Sequence, residues 1–231
     1  LTVENGLLGR RVNSIAQDNQ GFIWIATQEG LNRYDGKEFR VYRNDVDDKS
    51  SLSESDVNLV FEDQYKQLWV GTQGEGLNLF NSHKQTFRHF YFNKSEKDTG
   101  FNDILKIVED SNKLWIATLG GLVHFDPLTK LSKNYSIVPN DFLDYGNRVR
   151  DLLVLNEKQL LLSTGRGLRL FDINSGKLSK PNFSNPILDN EEVGPILKDS
   201  KGELWVGTRT SGLFHLDNQF KVIKQLRHFD S

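Results

Sequence analysis

The sequence lacks cysteine and methionine altogether, and it has only 5 prolines among 231 residues. Without cysteine, disulfide bonds and thiolate metal sites are excluded, whereas oxidising and reducing compartments both stay possible. There is no run of about 18 apolar residues that would predict a membrane-spanning helix. The first residues, LTVENGLLGRR, also lack the apolar centre of a signal peptide. Because no initiating methionine is present, we expect a segment of a longer gene product.

A strong charge of either sign is missing as well. Lys and Arg total 29 and Asp and Glu total 31, which gives a formal net charge of -2. Large basic surfaces attract nucleic acid and anionic membranes, so neither partner is predicted for this chain. The 37% of hydrophobic residues is enough to build a packed core.

What the sequence does contain is one motif in five copies. Gly21 to Gly36 reads GFIWIATQEGLNRYDG, and related segments return about every 45 residues. All four tryptophans occupy the same repeat position, which Leu161 takes in the fourth copy. The anchors WIAT, WVGT, WIAT, LLST and WVGT end at Thr27, Thr72, Thr118, Thr164 and Thr208. So regular a period predicts an array of similar structural units.

Each copy has the pattern of four short strands separated by turns. In the first copy, an apolar segment at Val12 to Gln17 is followed by the turn DNQG and by Phe22 to Thr27, which is apolar on both faces. Two more strands are predicted at Leu31 to Tyr34 and Phe39 to Tyr42. Four antiparallel strands in about 45 residues are typical of a β-propeller blade. We therefore predict an all-β propeller with about five blades, at residues 12–42, 57–90, 104–135, 149–178 and 193–226.

The repeated residues are expected to build the scaffold. The tryptophans should be buried between blades, and the Ala or Gly two residues later should allow close approach of a neighbouring blade. His124 and His215 share the repeat position of Arg33 and are therefore predicted to lie on third strands. A metal site is not predicted for them, because no histidines have a metal-binding spacing. The repeated aspartates are predicted to accept hydrogen bonds in turns rather than to bind metal. These aspartates are Asp18, Asp63, Asp110 and Asp199.

The motif apolar-Asp-x-x-Gly-x-(Leu/Ile)-Trp-(Ile/Val)-(Ala/Gly)-Thr-x-x-Gly-Leu-x-x-(Tyr/Phe)-Asp resembles the two-component regulator propeller repeat. The resemblance extends over nearly the whole chain and is weakest in copy four, which lacks both Asp and Trp. It implies a periplasmic sensor domain of an inner-membrane regulator whose output is a histidine kinase, often a hybrid, or a diguanylate cyclase. It also implies a small-molecule or oligosaccharide ligand, and we expect the membrane-anchored parent to be a homodimer.

The resemblance also implies more blades than five, about seven per propeller and often two propellers, so the five copies are expected to be part of a larger or double propeller. Leu1 to Val3 would then belong to a strand that closes the ring. Blades adapted to a wider ring would form an open arc with exposed end faces, and two copies could associate through those faces.

Binding residues are expected where the copies differ. In a propeller, the loops from the second to the third strand and from the fourth strand to the next first strand emerge on one face, which is usually the binding face. Their amides, carboxylates and guanidinium groups suit hydroxyl-rich or acidic ligands. The loop before the fourth copy carries Tyr135, Phe142, Tyr145 and Arg148, whose aromatic rings could stack on a sugar ring or simply pack the loop. The ligand-binding candidates are Gln28, Glu29, Gln73, Glu75, Arg166, Arg209, Thr210 and Tyr145.

No catalytic residue, metal site or cofactor is predicted. A glycosidase needs two carboxylates on either side of the scissile bond, and Glu29 and Glu75 are the pair on the proposed face. Their corresponding positions in successive copies favour a loop role instead. The leading hypothesis is a non-enzymatic ligand-sensing module. The alternative is a stand-alone propeller that acts on polysaccharides or serves as a protein-interaction scaffold.

Overall fold

The computed structural model describes residues 2–92, 99–138, 144–182 and 186–227. Its strands form five four-stranded sheets in which neighbouring strands are consecutive in the chain. Every strand pair is antiparallel, so each repeat is one up-and-down sheet, here called a blade. The prediction of an all-β propeller architecture is confirmed.

The strands have the following bounds. Blade 1 contains β1 (Val12–Gln17), β2 (Ile23–Thr27), β3 (Gly30–Tyr34) and β4 (Phe39–Tyr42). Blade 2 contains β5 (Val57–Glu62), β6 (Leu68–Thr72), β7 (Leu77–Asn81) and β8 (Thr86–Phe90). Blade 3 contains β9 (Ile104–Asp110), β10 (Lys113–Thr118), β11 (Gly121–Phe125) and β12 (Ser132–Tyr135). Blade 4 contains β13 (Val149–Asn156), β14 (Gln159–Thr164), β15 (Gly167–Asp172) and β16 (Leu178–Ser179). Blade 5 contains β17 (Val193–Lys198), β18 (Leu204–Thr208), β19 (Leu213–Leu216) and β20 (Val222–Leu226).

Among the described residues, helical structure is confined to short segments outside the blades. The α-helix α1 is Ile187–Asn190, and 3-10 helices lie at Val3–Asn5, Thr99–Asn102 and Tyr145–Asn147. In the part of the chain that the structure describes, no helix is long and apolar enough to cross a membrane.

The repeat aspartates build the turn between the first and second strands. One carboxylate oxygen of Asp18 accepts hydrogen bonds from two turn N–H groups, at 2.9 and 3.0 Å. The other accepts from Trp24 Nε1 at 2.7 Å. Asp63 and Asp199 bind the tryptophans of their own blades in the same way, at 2.9 and 3.1 Å. The predicted turn role is therefore observed at these three positions.

Asp110 does not follow this pattern. Its hairpin is closed by Ser111 and Asn112, whose φ angles of 51° and 65° place both in the left-handed region. Lys113 consequently pairs directly with Asp110 in the ladder. Because two left-handed residues already make this tighter turn, the carboxylate is not used to organise it and instead accepts from Ser111 Oγ at 3.2 Å.

The apolar core is divided into layers between consecutive blades. Within the described residues, four buried clusters join blades 1 and 2, 2 and 3, 3 and 4, and 4 and 5. Trp24, Trp69 and Trp115 are at most 1% exposed, and each lies in the cluster shared with the following blade. Leu161 takes this role in blade 4. An aromatic of this size contributes several kcal/mol of gross stabilisation when buried, at roughly 25 cal/mol per Å².

The first strands of successive blades lie side by side, with β1 next to β5, β5 next to β9, β9 next to β13 and β13 next to β17. No contact of comparable extent joins blade 5 to blade 1 among the described residues. The two end faces are accordingly open. Ile15 of blade 1 is 63% exposed, whereas the equivalent Val60 is 4% exposed. On blade 5, Leu197 is 63% exposed and Trp205 is only half-buried.

The segment before β1 does not form a ring-closing strand in its described part. Leu1 lies outside the described residues, and Val3 begins the 3-10 helix Val3–Asn5. The Asn5 side chain accepts a hydrogen bond from the Thr2 N–H at 2.9 Å, which stabilises this turn instead of an extended conformation.

Candidate functional site

The loops between second and third strands are attached to the residue that precedes each first strand. In blades 2 to 5, the first loop residue after the repeat threonine donates its N–H to the carbonyl of that preceding residue. The pairs are Gln73 with Asp56, Leu119 with Asp103, Gly165 with Arg148 and Arg209 with Glu192, at 3.0, 3.3, 3.0 and 3.1 Å. Both sets of loops therefore emerge on one face of the arc, here called the loop face.

A charged residue stands immediately before the first strand in every blade. These residues are Arg11, Asp56, Asp103, Arg148 and Glu192. Arg11 and Asp56 face each other across blades 1 and 2, at 3.9 Å between Nη2 and Oδ2. Burial raises the pKa of Asp103, against the lowering effect of a backbone hydrogen bond from Gly74. Ionisable groups of both signs thus line the start of the first strands, and their arrangement differs from blade to blade.

Blades 4 and 5 bring three arginines and one buried carboxylate to the wall of the same cavity. Glu192 forms ion pairs with Arg150 and with Arg209, the latter at 3.0 Å between Nη1 and Oε2. Arg209 Nη1 also lies 3.4 Å from the hydroxyl of Tyr145. The guanidinium of Arg148 stacks on the Tyr145 ring, 4.4 Å from its centroid. We call Arg148, Arg150 and Arg209, with Glu192 and Tyr145, the arginine cluster.

A surface cavity of about 510 Å³ opens at this cluster, and all three arginines and Glu192 contribute to its walls. The Glu192 side chain is only 8% exposed. Burial by itself would raise the pKa of Glu192, but hydrogen bonds from Tyr145 and Arg209 and the charge of Arg150 together hold that pKa below its ordinary value. Glu192 is therefore ionised at neutral pH, and the cavity wall carries three positive charges against one negative charge.

The surrounding loops hold this arrangement in place. The Asp144 carboxylate accepts a hydrogen bond from the Gly146 N–H at 2.6 Å and so fixes the start of the 3-10 helix that carries Tyr145. The same carboxylate pairs with Arg166 at 2.7 Å. On blade 5, Glu191 Oε1 accepts hydrogen bonds from the N–H and hydroxyl of Thr210 and from the N–H of Ser211. The loops before β13 and before β17 are therefore each attached to the loop between the second and third strands of their own blade.

Of the residues that the sequence indicated, the structure brings four together. Tyr145 and Arg209 are in the arginine cluster itself, while Arg166 and Thr210 are bound to its flanking loops through Asp144 and Glu191. Phe142 lies outside the described residues.

The other four candidates lie on the loops of blades 1 and 2. Gln28, Glu29, Gln73 and Glu75 are all exposed. Glu29 pairs with Arg43 of its own blade at 3.8 Å. In the described part of the chain, none of the four contacts the arginine cluster.

Sequence reasoning missed Arg150, Glu192 and the two supporting carboxylates, Asp144 and Glu191. Glu191 and Glu192 are in one of the variable loops, and Arg150 is the second residue of the first strand β13. One feature of the sequence could have indicated this region: a charged residue precedes the first strand in every copy. Only the packing of blade 4 against blade 5 shows that Arg150 and Glu192 form a pair.

One group with metal-ligand side chains occurs among the residues the structure describes, at Asp199, Glu203 and His215, whose ligand atoms lie within 4.8 Å of one another. Asp199 already accepts the hydrogen bond of Trp205 Nε1, and His215 Nε2 is 2.8 Å from Glu203 Oε2. His215 also stacks on Trp205 with 4.1 Å between ring centroids. These contacts explain the three side chains as parts of the blade 5 hairpins.

A larger cavity, of about 620 Å³, lies between the turns of blades 2 and 3 on the opposite face. Tyr65, Pro127 and Leu128 give it an apolar wall, and Leu128 is 89% exposed. Size alone does not select a binding site. We favour the arginine cluster because polar and charged groups from two blades converge there, as in most small-molecule sites.

Comparison with known proteins supports this reading of the repeats. Residues 6–29 match the model of the family described as two component regulator propeller. A segment of 49 residues, 21% of this chain, is 43% identical to histidine kinase P4 of Formosa agariphila and covers 4% of that protein.

Solved structures with the same fold include extracellular domains from B. thetaiotaomicron. One, from a protein described as a hybrid two component system, has a TM-score of 0.59 and 26% identity over 100% of this chain and 36% of its own. A second such domain has a TM-score of 0.77 and 24% identity over 100% of this chain and 33% of its own. PorZ, a surface component of the type-IX secretion system of Porphyromonas gingivalis, has the same fold at 14% identity, with a TM-score of 0.67 over 96% of this chain and 34% of its own. The chain spans about a third of the length of these solved structures.

Proposed function

Since this chain carries the two-component regulator propeller repeat in a propeller fold, we propose that it is the ligand-sensing module of a signal-transduction regulator. The module lies outside the cytoplasm, in the periplasm, and its parent protein is anchored in the inner membrane. The extracellular domains from B. thetaiotaomicron support the location, because one of them is 26% identical over the whole of this chain.

The observation that carries the proposal is the meeting of Tyr145, Arg209 and Glu192 across blades 4 and 5. Tyr145 and Arg209 come from the two kinds of loop that vary between repeats, whereas the strands beneath them are nearly constant. Variable polar side chains on a constant scaffold are the usual arrangement of a binding site. The solute that we propose is a short saccharide, whose hydroxyl groups match the donors and acceptors of these side chains.

We propose a histidine kinase as the output of the parent protein rather than a diguanylate cyclase. The 43% identity with histidine kinase P4 supports this choice. The signal would be a change in how blades 4 and 5 pack when the solute binds between their loops, because the cluster is made of residues from both blades.

A thermal-shift screen of oligosaccharides tests the proposal. A saccharide at 100 times its Kd should stabilise the chain by roughly 2.7 kcal/mol. The stabilisation should disappear in Arg209→Ala and persist in Leu128→Ala, a control at an exposed position on the opposite face. A panel that stabilises nothing, or a shift that survives Arg209→Ala, would contradict binding at this site.

A second measurement distinguishes the sensing function from the alternative, a stand-alone propeller that acts on polysaccharides or serves as a scaffold. PorZ shows that the fold also occurs in a secretion-system component. Glycosidase activity would rest on Glu29 and Glu75, and Glu29 lies in an exposed ion pair with Arg43. Chromatography of the same oligosaccharides after incubation should show no products. Cleavage that Glu29→Gln abolishes would favour the enzyme instead.

A further inference from the structure

The arginine cluster has many more donors than acceptors. Each guanidinium carries five N–H groups, and of the three arginines only Arg150 and Arg209 pair with Glu192, which also accepts a hydrogen bond from Tyr145. Arg148 stacks on Tyr145, and no carboxylate lies within ion-pair distance of it among the described residues. Among the described residues, most of the hydrogen-bond donors that line the cavity therefore have no acceptor.

The other acidic residues that the structure describes beside the cavity do not supply the missing negative charge. The Asp144 carboxylate is paired with Arg166 at 2.7 Å. Glu191 Oε1 accepts three hydrogen bonds from Thr210 and Ser211. Both carboxylates are thus committed to partners in the flanking loops. The excess positive charge remains at the cavity wall.

We propose that the arginine cluster binds the carboxylate or sulfate group of an acidic solute. This inference rests on the proposed sensing function and names the chemical class of its ligand. Guanidinium groups bind planar carboxylates and sulfates through pairs of parallel N–H donors, which gives both strength and orientation. Arg148, Arg150 and Arg209 present such donors from two blades to one cavity of about 510 Å³.

Glu192 has a defined role in this site. Its carboxylate holds Arg150 and Arg209 together in the absence of ligand, and it repels the incoming anion. Glu192 therefore keeps the guanidinium groups in position and competes with the anion for their N–H donors, which limits the affinity of the site for the anion. Without a ligand, the ion pairs of the cluster join Glu192 to Arg150 and Arg209. A bound anion would also contact Arg148.

Arginine side-chain NMR tests the proposal. The Nε–Hε signals of the intact chain are recorded during titration with glucuronate, with sodium sulfate and with glucose, at constant ionic strength set by sodium chloride. We expect saturable shifts at Arg148, Arg150 and Arg209 with glucuronate or sulfate and none with glucose. The comparison of glucuronate with sulfate identifies which anionic group the site prefers.

Two variants make the test specific. Glu192→Gln keeps the shape of the side chain but removes the competing charge, so it should tighten anion binding by roughly fivefold. Arg148→Ala should weaken binding by roughly tenfold, because charge-assisted hydrogen bonds are lost. Arg11→Ala is the matched control: Arg11 occupies the same repeat position in blade 1 and lies 3.9 Å from Asp56.

The possible outcomes are distinct. Saturable shifts with an anion that tighten in Glu192→Gln support the inference. Absence of a saturable shift with both anions, or equal weakening by Arg11→Ala and Arg148→Ala, overturns it. If a neutral oligosaccharide binds at the cluster while both anions fail, the sensing function stands and only the acidic ligand class is wrong.

Discussion

Gly71 shows how closely neighbouring blades approach at a single residue. A Cβ atom added at Gly71 would lie 2.6 Å from Ile104 Cγ2 of the next blade. We predict that Gly71→Ala destabilises the fold by about 1–3 kcal/mol, the usual cost of overpacking a core. Urea denaturation would measure this loss. Gly207→Ala is the matched control: it is the equivalent position on the open face of blade 5, where the added Cβ would lie 3.2 Å from Pro195 Cδ. Equal losses in the two variants would contradict the account of the interface.

His124 makes stability depend on pH. Its ring stacks on Trp115 with 4.1 Å between centroids. Burial, with a contribution from the charge of Lys113, lowers the pKa of His124 from its ordinary 6.5. The unfolded chain therefore takes up this proton more readily than the folded chain does. Stability should be complete above pH 6.5 and should fall as the pH drops through the lowered pKa.

The measurement is the urea midpoint of the native chain and of His124→Gln, which keeps a hydrogen-bonding side chain but cannot become charged. Between about pH 7.5 and about pH 5, the native chain should lose more stability than the variant. Identical pH profiles would show that His124 is not responsible.

Side chains that repeat were predictable one by one, whereas partners from different blades were not. The burial of Trp24 and the turn role of Asp18 follow from their repeated positions, whereas the hydrogen bond between them was seen only in the structure. Tyr145 and Arg209 were identified because they lie in variable loops of the loop face. Glu192 was missed because its role depends on two arginines, and one of them is in the preceding blade.

At the scale of the hairpin, the aspartate of the first turn should be a major contributor to stability. Asp63 is buried and accepts hydrogen bonds from the Gln67 N–H at 2.8 Å and from Trp69 Nε1 at 2.9 Å. Asp63→Ala leaves these buried donors without partners, so we predict a loss of about 2–4 kcal/mol. Asp110→Ala should cost less than about 1 kcal/mol, since Ser111 and Asn112 close that turn by themselves. Urea denaturation of both variants compares them directly, and equal losses would count against the turn role.

The strands were predictable because a period of about 45 residues fixes where each one recurs. The exceptions are elements without a repeated signal. The 3-10 helix Tyr145–Asn147 and the helix α1 lie in connecting loops whose lengths and compositions differ between copies. The tight turn of blade 3 differs for a local reason, the loss of one residue between Asp110 and Lys113. These elements depend on tertiary contacts or on the deletion of a single residue, which a repeat pattern does not contain.

At the scale of the molecule, the open end faces should drive association of two copies. One face of each blade packs against the opposite face of the next, and blades 1 and 5 each leave one of these complementary faces uncovered. We predict a concentration-dependent dimer or larger assembly by light scattering. Ile15→Glu should shift it toward monomer, because a charge would be buried in an apolar contact.

Leu128→Glu is the control for this prediction, since Leu128 is 89% exposed but lies on a turn away from the end faces. A chain that stays monomeric at every concentration, or one whose association responds equally to both substitutions, would contradict association through the end faces.

The central claim is that the loop face of blades 4 and 5 binds the solute. Hydrogen–deuterium exchange, with the solute found in the oligosaccharide screen, tests it most directly. We predict slower exchange in the segments that carry the arginine cluster and its flanking loops, residues 144–151, 164–167 and 191–211. Slower exchange confined to the opposite face, at residues 126–131, or no change in exchange with a solute that binds, would contradict the claim.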